Sequence, residues 1–380
     1  MNAVYLDNNA TTRPAPAVIE AMTAILAENY GNAASVHAMG QRARHAIETA
    51  REDIASLISA NAADIALTAS GTAADRLAIS GLVAAAADKR RIVTTTVEHK
   101  AILDPCRRLA ADGCDVVRVG VDSGGALDLD QLSEALSPQT AAVSVMLANS
   151  ETGVLFPLSE VAKLTRSRGI PLHVDAIQAI GRVPVDVASL GADVVSLSAH
   201  KTHGPKGVGA LWIRPGVRFV CPQTGARTAR DLRDGTENTA AIVGFGAAAR
   251  LAHSGIASMP DVAARRDRLE DAILASDHDA TIAGDRSRRI PNTTTICFRG
   301  LEAEAILIGL SERGVYVSSG SACASGSIEP SHVLLAMGLP MEVARGAIRF
   351  SLSRDTTDEE IDAAIHHVRE VVGRLRAFVA

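Results

Sequence analysis

Apolar residues along this chain fall into two rhythms. Short runs of four to six residues stand at Ile92–Thr96, Val116–Val119, Ala142–Leu147, Pro171–Asp175, Val194–Ser198 and Val208–Ile213. Each reads as a β-strand. Stretches near 15–28, 38–58, 72–87, 99–112, 128–136 and 157–168 read instead as helices. Strands that alternate with helices need crossover connections, and so predict a mostly parallel sheet. Several of the strands are continuously apolar, as expected when both faces of a sheet are covered.

From about residue 240 the rhythm changes. Helices near 240–255 and 259–275 precede a strand at Thr293–Phe298. A helix over 302–313, strands at Val315–Ser318 and Ile348–Ser351, and a closing helix over 357–378 follow. This mixture predicts a smaller α+β unit that the first dozen residues join. The expected division is a large α/β domain over 13–245 and a small domain made of 1–12 plus 246–380.

The length of 380 residues supports two such domains. Hydrophobic residues at 47%, charged residues at 21% and a net charge of −5 fit a soluble globular enzyme. No basic stripe stands out, and Arg286-Ser287-Arg288-Arg289 reads as a solvated loop. Aromatic residues at 3% leave no evident stacking platform, so no nucleic-acid partner is expected. No apolar run reads as a bilayer span, and Met1-Asn2-Ala3-Val4 lacks the regions of a signal peptide. A cytoplasmic setting is the resulting expectation. Cys106, Cys114, Cys221, Cys297 and Cys323 show no CxxC spacing, which predicts reduced thiols and no metal site.

Two distant segments carry the chemistry. Ser198-Ala199-His200-Lys201, running into Gly204-Pro205-Lys206-Gly207, puts a lysine where a strand ends. Ser318-Ser319-Gly320-Ser321-Ala322-Cys323-Ala324-Ser325-Gly326 puts one cysteine among tiny residues. An amine able to form a Schiff base, together with a thiol in a pliant loop, points to pyridoxal-phosphate chemistry that ends on sulfur. Parallel sheets bind ligands at the carboxyl ends of their strands. Asp175 ends one strand and Lys201 another. A carboxylate there can hold a pyridine nitrogen protonated. Taken alone, Asp175 is a helix N-cap and Lys201 a surface charge; their joint placement argues against both.

Other residues are weaker alone. Thr68-Ala69-Ser70-Gly71-Thr72 precedes a helix, and helix N-terminal N–H groups with hydroxyls cradle phosphate. An ordinary capped helix has the same pattern. Ser198 and His200 are further phosphate candidates. His99 follows a strand, where it can stack on a ring and move protons, or serve only structure. Cys323 is either a mobile nucleophile or an incidental loop cysteine. Arg349, in Ile348-Arg349-Phe350-Ser351, is a carboxylate clamp or half of a structural ion pair.

With these motifs the chain resembles the NifS/IscS-type cysteine desulfurases, class V, fold-type I pyridoxal-phosphate enzymes. The resemblance runs from Tyr5-Leu6-Asp7-Asn8-Asn9-Ala10-Thr11-Thr12 to Arg349-Phe350-Ser351-Leu352 and the last helix. Its most specific parts are Ser198-x-His200-Lys201 and the Cys323 segment with Glu329-Pro330-Ser331. It implies that Lys201 carries the cofactor and acts as a base. It implies that Asp175 pairs the pyridine nitrogen, Gln178 the ring hydroxyl, and that His99 stacks on the ring. Gly71, Thr72, Ser198 and His200 would hold the phosphate, with Thr236 reaching it from the other subunit of a homodimer. Arg349 would grip the carboxylate of L-cysteine with Asn32 assisting. Cys323 would take the sulfur as a persulfide, leaving alanine, and pass it to a sulfur-acceptor protein.

The chain departs from the family at several positions. Asn149-Ser150-Glu151 stands where the family has Asn-Asn-Glu, so Ser150 takes the place of a cofactor- or substrate-contacting asparagine. Ala73 replaces a glutamate, Arg76 an asparagine, and Thr224-Gly225-Ala226-Arg227 a histidine and three glycines. Asn32-Ala33 stands for Asn-Pro. The chain stops at Arg376-Ala377-Phe378-Val379-Ala380, where housekeeping relatives carry a tail that docks an iron–sulfur scaffold. That leads to the expectation of a dedicated thiolation partner over general cluster assembly. A selenocysteine or cysteine lyase, and a low-activity member that acts through partner binding, are the alternative readings.

Overall fold

The computed structural model describes residues 3–86, 88–222, 232, 235–319 and 330–379. In chain order its strands are β1 (Val4–Tyr5), β2 (Ile65–Thr68), β3 (Arg91–Thr95), β4 (Asp115–Val119), β5 (Thr140–Met146), β6 (Leu172–Asp175), β7 (Val194–Ser198), β8 (Gly209–Ile213), β9 (Ala280–Ile282), β10 (Thr293–Phe298), β11 (Val315–Tyr316), β12 (Ser318–Ser319) and β13 (Ala347–Ser351). Its helices are α1 (Pro16–Glu28), α2 (Ala38–Ser56), α3 (Gly71–Ala85), α4 (Lys100–Ala111), α5 (Leu129–Ala135), α6 (Leu158–Arg166), α7 (Val187–Leu190), α8 (Thr239–Gly255), α9 (Met259–Leu274), α10 (Ala303–Ser311), α11 (His332–Ala336), α12 (Met341–Ala344) and α13 (Asp358–Val379).

Seven strands form one sheet in the order β2-β8-β7-β6-β5-β3-β4. The five from β3 to β7 run parallel, as the expected crossovers demand. β8 turns back antiparallel on β7 through Ala199–Val208, and β2 pairs with it. A link that short holds no crossover helix, so the chain doubles back. Every residue of β5, β7 and β8 is buried, as their apolar runs predict. β2, only four residues long, escapes the sequence pattern.

A second sheet, β12-β13-β10-β9, is antiparallel, and β1 pairs with β11 in parallel. The expected single strand Val315–Ser318 is divided. Val315 and Tyr316 face β1, whereas Ser318 and Ser319 face β13, so the chain changes partner at Val317.

Two main apolar cores follow the two sheets. The first gathers Val143, Val174 and Leu197; the second gathers Leu6, Leu269, Phe298, Phe350 and Val368. Helix α8 packs on α1 and α2, and its Ala241, Phe245, Ala249 and Ala252 belong to the first core. A Cβ on Gly246 would stand 2.7 Å from Ala50 Cα, so only glycine permits that approach. Met259 and Val262, just past the turn Ile256–Ser258, belong to the second core. Thr239–Leu274 also holds a window of mean hydropathy 1.3, long and apolar enough to cross a bilayer, where the sequence reading saw none. Of that window 56% is buried inside the protein, as core-helix packing requires.

Candidate active site

The carboxyl ends of β3, β5, β6 and β7 share one edge of the sheet. Beyond them come His99, Ser150, Asp175 and Lys201. β2 ends level with β7, because Thr68 and Ser198 both register with Gly209. The N-terminus of α3 thus arrives at the same edge. All of these residues line a cavity of about 430 Å³, together with Gly71, Thr72, Gln178, Ser198, His200 and Arg349.

One end of the cavity is built to receive an anion. Ser70 caps α3, its Oγ accepting from Ala73 N–H at 3.1 Å. The first N–H groups of a helix have no intrahelical partner, and its dipole favours negative charge there. A Cβ on Gly71 would meet Ile177 Cδ1 at 2.6 Å and Ser198 Cβ at 2.8 Å, so the backbone comes close only because it is glycine. Ser198 Oγ is buried without a hydrogen-bond partner, an orphaned donor beside that helix end. His200 Nδ1 lies 3.2 Å from Thr11 Oγ1. Burial first, then the charges of Lys201 and Lys206, push its imidazole down to about 4.

Lys201 and Asp175 come from neighbouring strands. Lys201 Nζ donates to Asn9 O at 2.6 Å and Ala10 O at 2.8 Å. Asp175 Oδ1 accepts from Ile177 N–H at 2.9 Å. Burial pushes the Asp175 carboxyl up to about 6, against that N–H and the charge of Lys201. Gln178 Nε2 donates to Asn9 O at 3.0 Å, and its Oε1 accepts from Arg182.

Across the cavity His99 caps α4, its Nδ1 accepting from Ala101 N–H at 3.0 Å. That bond assigns the proton to Nε2. Burial, then the charge of Lys201, hold the imidazole down to about 4, so the ring is neutral at physiological pH. Arg349, on β13, donates from Nη1 to Ser150 O at 3.0 Å and from Nη2 to Asp7 Oδ1 at 2.7 Å. It is therefore both a cavity residue and half of an ion pair. Its Nε is buried with no partner. Ser150 contributes its backbone carbonyl to this arginine and to Asn9 Nδ2.

Two expected residues do not join the cavity within one chain. Asn32 is exposed, its Oδ1 accepting from Ala34 N–H at 2.9 Å. Thr236 is also exposed. Cys323, with Gly320–Glu329, lies outside the described residues, as does Thr224–Arg227.

The cavity also holds residues that the sequence reading passed over. Glu98 is fully buried, with Oε1 accepting from Thr95 Oγ1 at 2.9 Å and Met146 N–H at 3.0 Å. Burial, then the charge of Asp175, push it up to about 8. Glu151, raised to about 7 mainly by burial, accepts from Ser331 Oγ. Asp75 lies on the buried face of α3. Val97 precedes Glu98 and Ala74 precedes Asp75, but a single apolar neighbour does not tell a buried acid from a surface one.

Residues 4–364 match the family described as Aminotransferase class-V. A cysteine desulfurase of Nostoc sp. is 47% identical over 378 residues, covering 99% of this chain and 94% of that protein. The cysteine desulfurase NifS of Azotobacter vinelandii is 44% identical over 378 residues, with 99% and 94% covered. Among solved structures, a NifS-like protein superposes with a TM-score of 0.92 at 34% identity, covering 98% of this chain and all of that one. A structure of SspA in complex with cysteine superposes with a TM-score of 0.79 at 30% identity, covering 93% and 99%.

Proposed function

The chain belongs to the class-V aminotransferases and is a cysteine desulfurase that converts L-cysteine to L-alanine, and we propose that the cavity between Asp175 and Lys201 is where it does so. The observation that carries this reading is the meeting of an amine, a buried carboxylate and a helix N-terminus with an orphaned hydroxyl in one cavity. That set fits pyridoxal phosphate. Bound at Lys201, the cofactor supplies an electron sink for the pair released when the substrate Cα–H bond breaks.

The chain's own residues divide the remaining work. The N–H groups at Gly71 and Thr72, with the hydroxyls of Thr72 and Ser198 and the ring of His200, hold the phosphate. Asp175 would meet the pyridine nitrogen and keep it protonated, and Gln178 would reach the ring hydroxyl. His99 would lie against the ring, with Nε2–H placed to move protons. Lys201 Nζ, which would hold the cofactor, is also the amine placed to take the Cα proton. Arg349, aimed by Asp7 and Ser150 O, grips the substrate carboxylate.

Sulfur leaves through Cys323. Its thiolate attacks the substrate sulfur, an S–S bond forms, and the C–S bond breaks. Pro330, Ser331 and His332 line the cavity, and Cys323 stands only seven residues before Pro330. Even an extended chain of that length spans roughly 25 Å, which supports the thiol working at this site. The persulfide passes to a sulfur-acceptor protein. A homodimer in which the second subunit brings Thr236 to the phosphate accounts for that residue's exposure in one chain, with Asn32 closing on the substrate. The cytoplasmic setting belongs to the same reading, supported by the buried free thiols Cys106, Cys114, Cys221 and Cys297.

Intact mass after L-cysteine, with alanine assayed in parallel, tests the scheme. The wild type gains one sulfur atom and forms alanine; Cys323→Ala does neither. Alanine formed at the wild-type rate by Cys323→Ala would remove the thiol from the mechanism.

A further inference from the structure

The cavity floor holds a second carboxyl that the proposed reaction does not use. Asp75 lines the cavity with a fully buried side chain, and neither of its oxygens has a partner at ordinary hydrogen-bond geometry. His173 Nε2 lies 3.7 Å from Asp75 Oδ1. That nitrogen is already engaged at 2.8 Å with Ser196 Oγ, and Nδ1 lies 2.9 Å from Ser144 Oγ. His173 and Asp175 are two apart on β6 and so point to one face of the sheet. Ser196 registers with Asp175 on β7, and α3 packs on β5, β6 and β7. Asp75, His173 and Asp175 therefore share one buried floor.

Such a floor does not sustain two carboxylates. Asp175 has the supports of an anion: an N–H bond from Ile177 and the charge of Lys201. Asp75 has neither. Burial first, then the charge of Asp175, hold its carboxyl well above the usual range. The nearby Ser196 hydroxyl works the other way, lowering it by less than burial and Asp175 raise it. We propose that Asp75 is a positioning residue that remains the neutral member of this pair, and so confines the negative charge of the floor to Asp175, where the ring nitrogen is met. This rests on the reading of the cavity as a pyridoxal-phosphate site.

The other titratable groups facing Asp75 are few. Asp175 and His173 come from β6, and Glu98 from the segment before α4. Lys201, His200 and His99 line the cavity with it. His173 is held down to about 3 by burial, and so stays neutral through the working range. Glu98, pushed up to about 8 by burial and then by the charge of Asp175, also keeps its proton at neutral pH.

Infrared difference spectra of wild type, Asp75→Asn and Glu98→Gln at neutral pH, with the visible band of the lysine-bound cofactor, test the proposal. Asp75→Asn should lose one protonated-carboxyl C=O stretch that Glu98→Gln retains. Its visible band should stay unshifted, and its cofactor dissociation constant should stay within about threefold of wild type. An unchanged carboxyl stretch overturns the proposal. So does a band shift in Asp75→Asn, because removing a neutral group leaves the ring's charge environment intact. Asp75→Ala gives the same infrared reading if the amide fails to fold. A wild type that forms no visible band with the cofactor would instead refute the cofactor site, and the infrared spectra would still decide the state of Asp75.

Discussion

Arg349 and Asp7 are held together at 2.7 Å although 342 residues separate them. The pair ties β13 to the N-terminal segment, and the bridge between Asp7 and Ser351 fixes the register of that tie. The guanidinium is thereby aimed before any substrate arrives, which limits the ordering cost of binding. Asp7→Asn should raise the KM for L-cysteine by roughly tenfold with kcat within about threefold, since it loosens a clamp that holds ground and transition states alike. Arg349→Lys should cost more, roughly a hundredfold in kcat/KM, because an ammonium cannot make the forked contact. Steady-state kinetics on both variants checks the order. Equal KM values in wild type and Asp7→Asn would mean that Asp7 serves structure alone.

Gly71 gives a sharper test of the anion end. A methyl group there would stand 2.6 Å from Ile177 Cδ1 and 2.8 Å from Ser198 Cβ. Both neighbours are buried or nearly so, so the α3 N-terminus must withdraw from the cavity. Gly71→Ala should weaken cofactor retention by more than about tenfold, roughly the loss of one good phosphate contact at 1.4 kcal/mol per decade. Cofactor content after dialysis reads it out. Retention equal to wild type would place the phosphate elsewhere.

The strand-end logic that brought Lys201 and Asp175 together was legible in the sequence because period and burial state are properties of the chain itself. The same pattern delivered β5, β6 and β7 within about two residues. β2 escaped because four residues carry too little periodicity to distinguish a strand from a turn. The antiparallel return of β8 follows from a connection length, which hydrophobic pattern does not encode. Glu98, Glu151 and Asp75 were invisible for another reason. An acid normally marks the solvent face; Asp75 lies on α3 and Glu98 and Glu151 in the segments that follow β3 and β5, and only the tertiary packing buries all three. The pattern around Arg349 fits a clamp and an ion pair alike, and in the fold the one side chain both pairs with Asp7 and lines the cavity.

His99 carries two separable duties. Its Nδ1 caps α4, and its Nε2–H faces the cavity. His99→Asn keeps an N-cap acceptor and removes the ring. It should hold thermal stability within about 1 kcal/mol of wild type and lower kcat by roughly a hundredfold or more. The wild-type imidazole sits at about 4, so the acid limb of the rate profile between pH 5 and 7 should not belong to His99. Thermal melts with kinetics from pH 5 to 9 check both. Wild-type kcat in His99→Asn would confine His99 to capping.

Glu98 sets a pH dependence of stability whose sign is fixed by its burial. Its carboxyl is raised from 4.5 to about 8 in the fold. Below pH 4.5 it is protonated in both folded and unfolded chains. As pH climbs, the unfolded chain releases the proton first, so unfolding gains and stability falls until the folded group also ionises near pH 8. The full penalty is of order 3–5 kcal/mol for a shift of this size. His99 and His200 act oppositely, because their lowered values reward neutrality above pH 6.5 and withdraw that stability as pH falls toward 4. The two effects overlap between pH 4.5 and 6.5, so the alkaline side isolates the carboxyl. Glu98→Gln keeps an oxygen to accept from Thr95 and Met146 and cannot ionise. It should therefore match or fall slightly below wild type near pH 4.5 and exceed it in denaturant midpoint at pH 9, with the difference growing between pH 4.5 and about 8. Denaturation of the apoprotein across that range decides it, and a gap independent of pH would show that Glu98 ionises as an ordinary solvated acid.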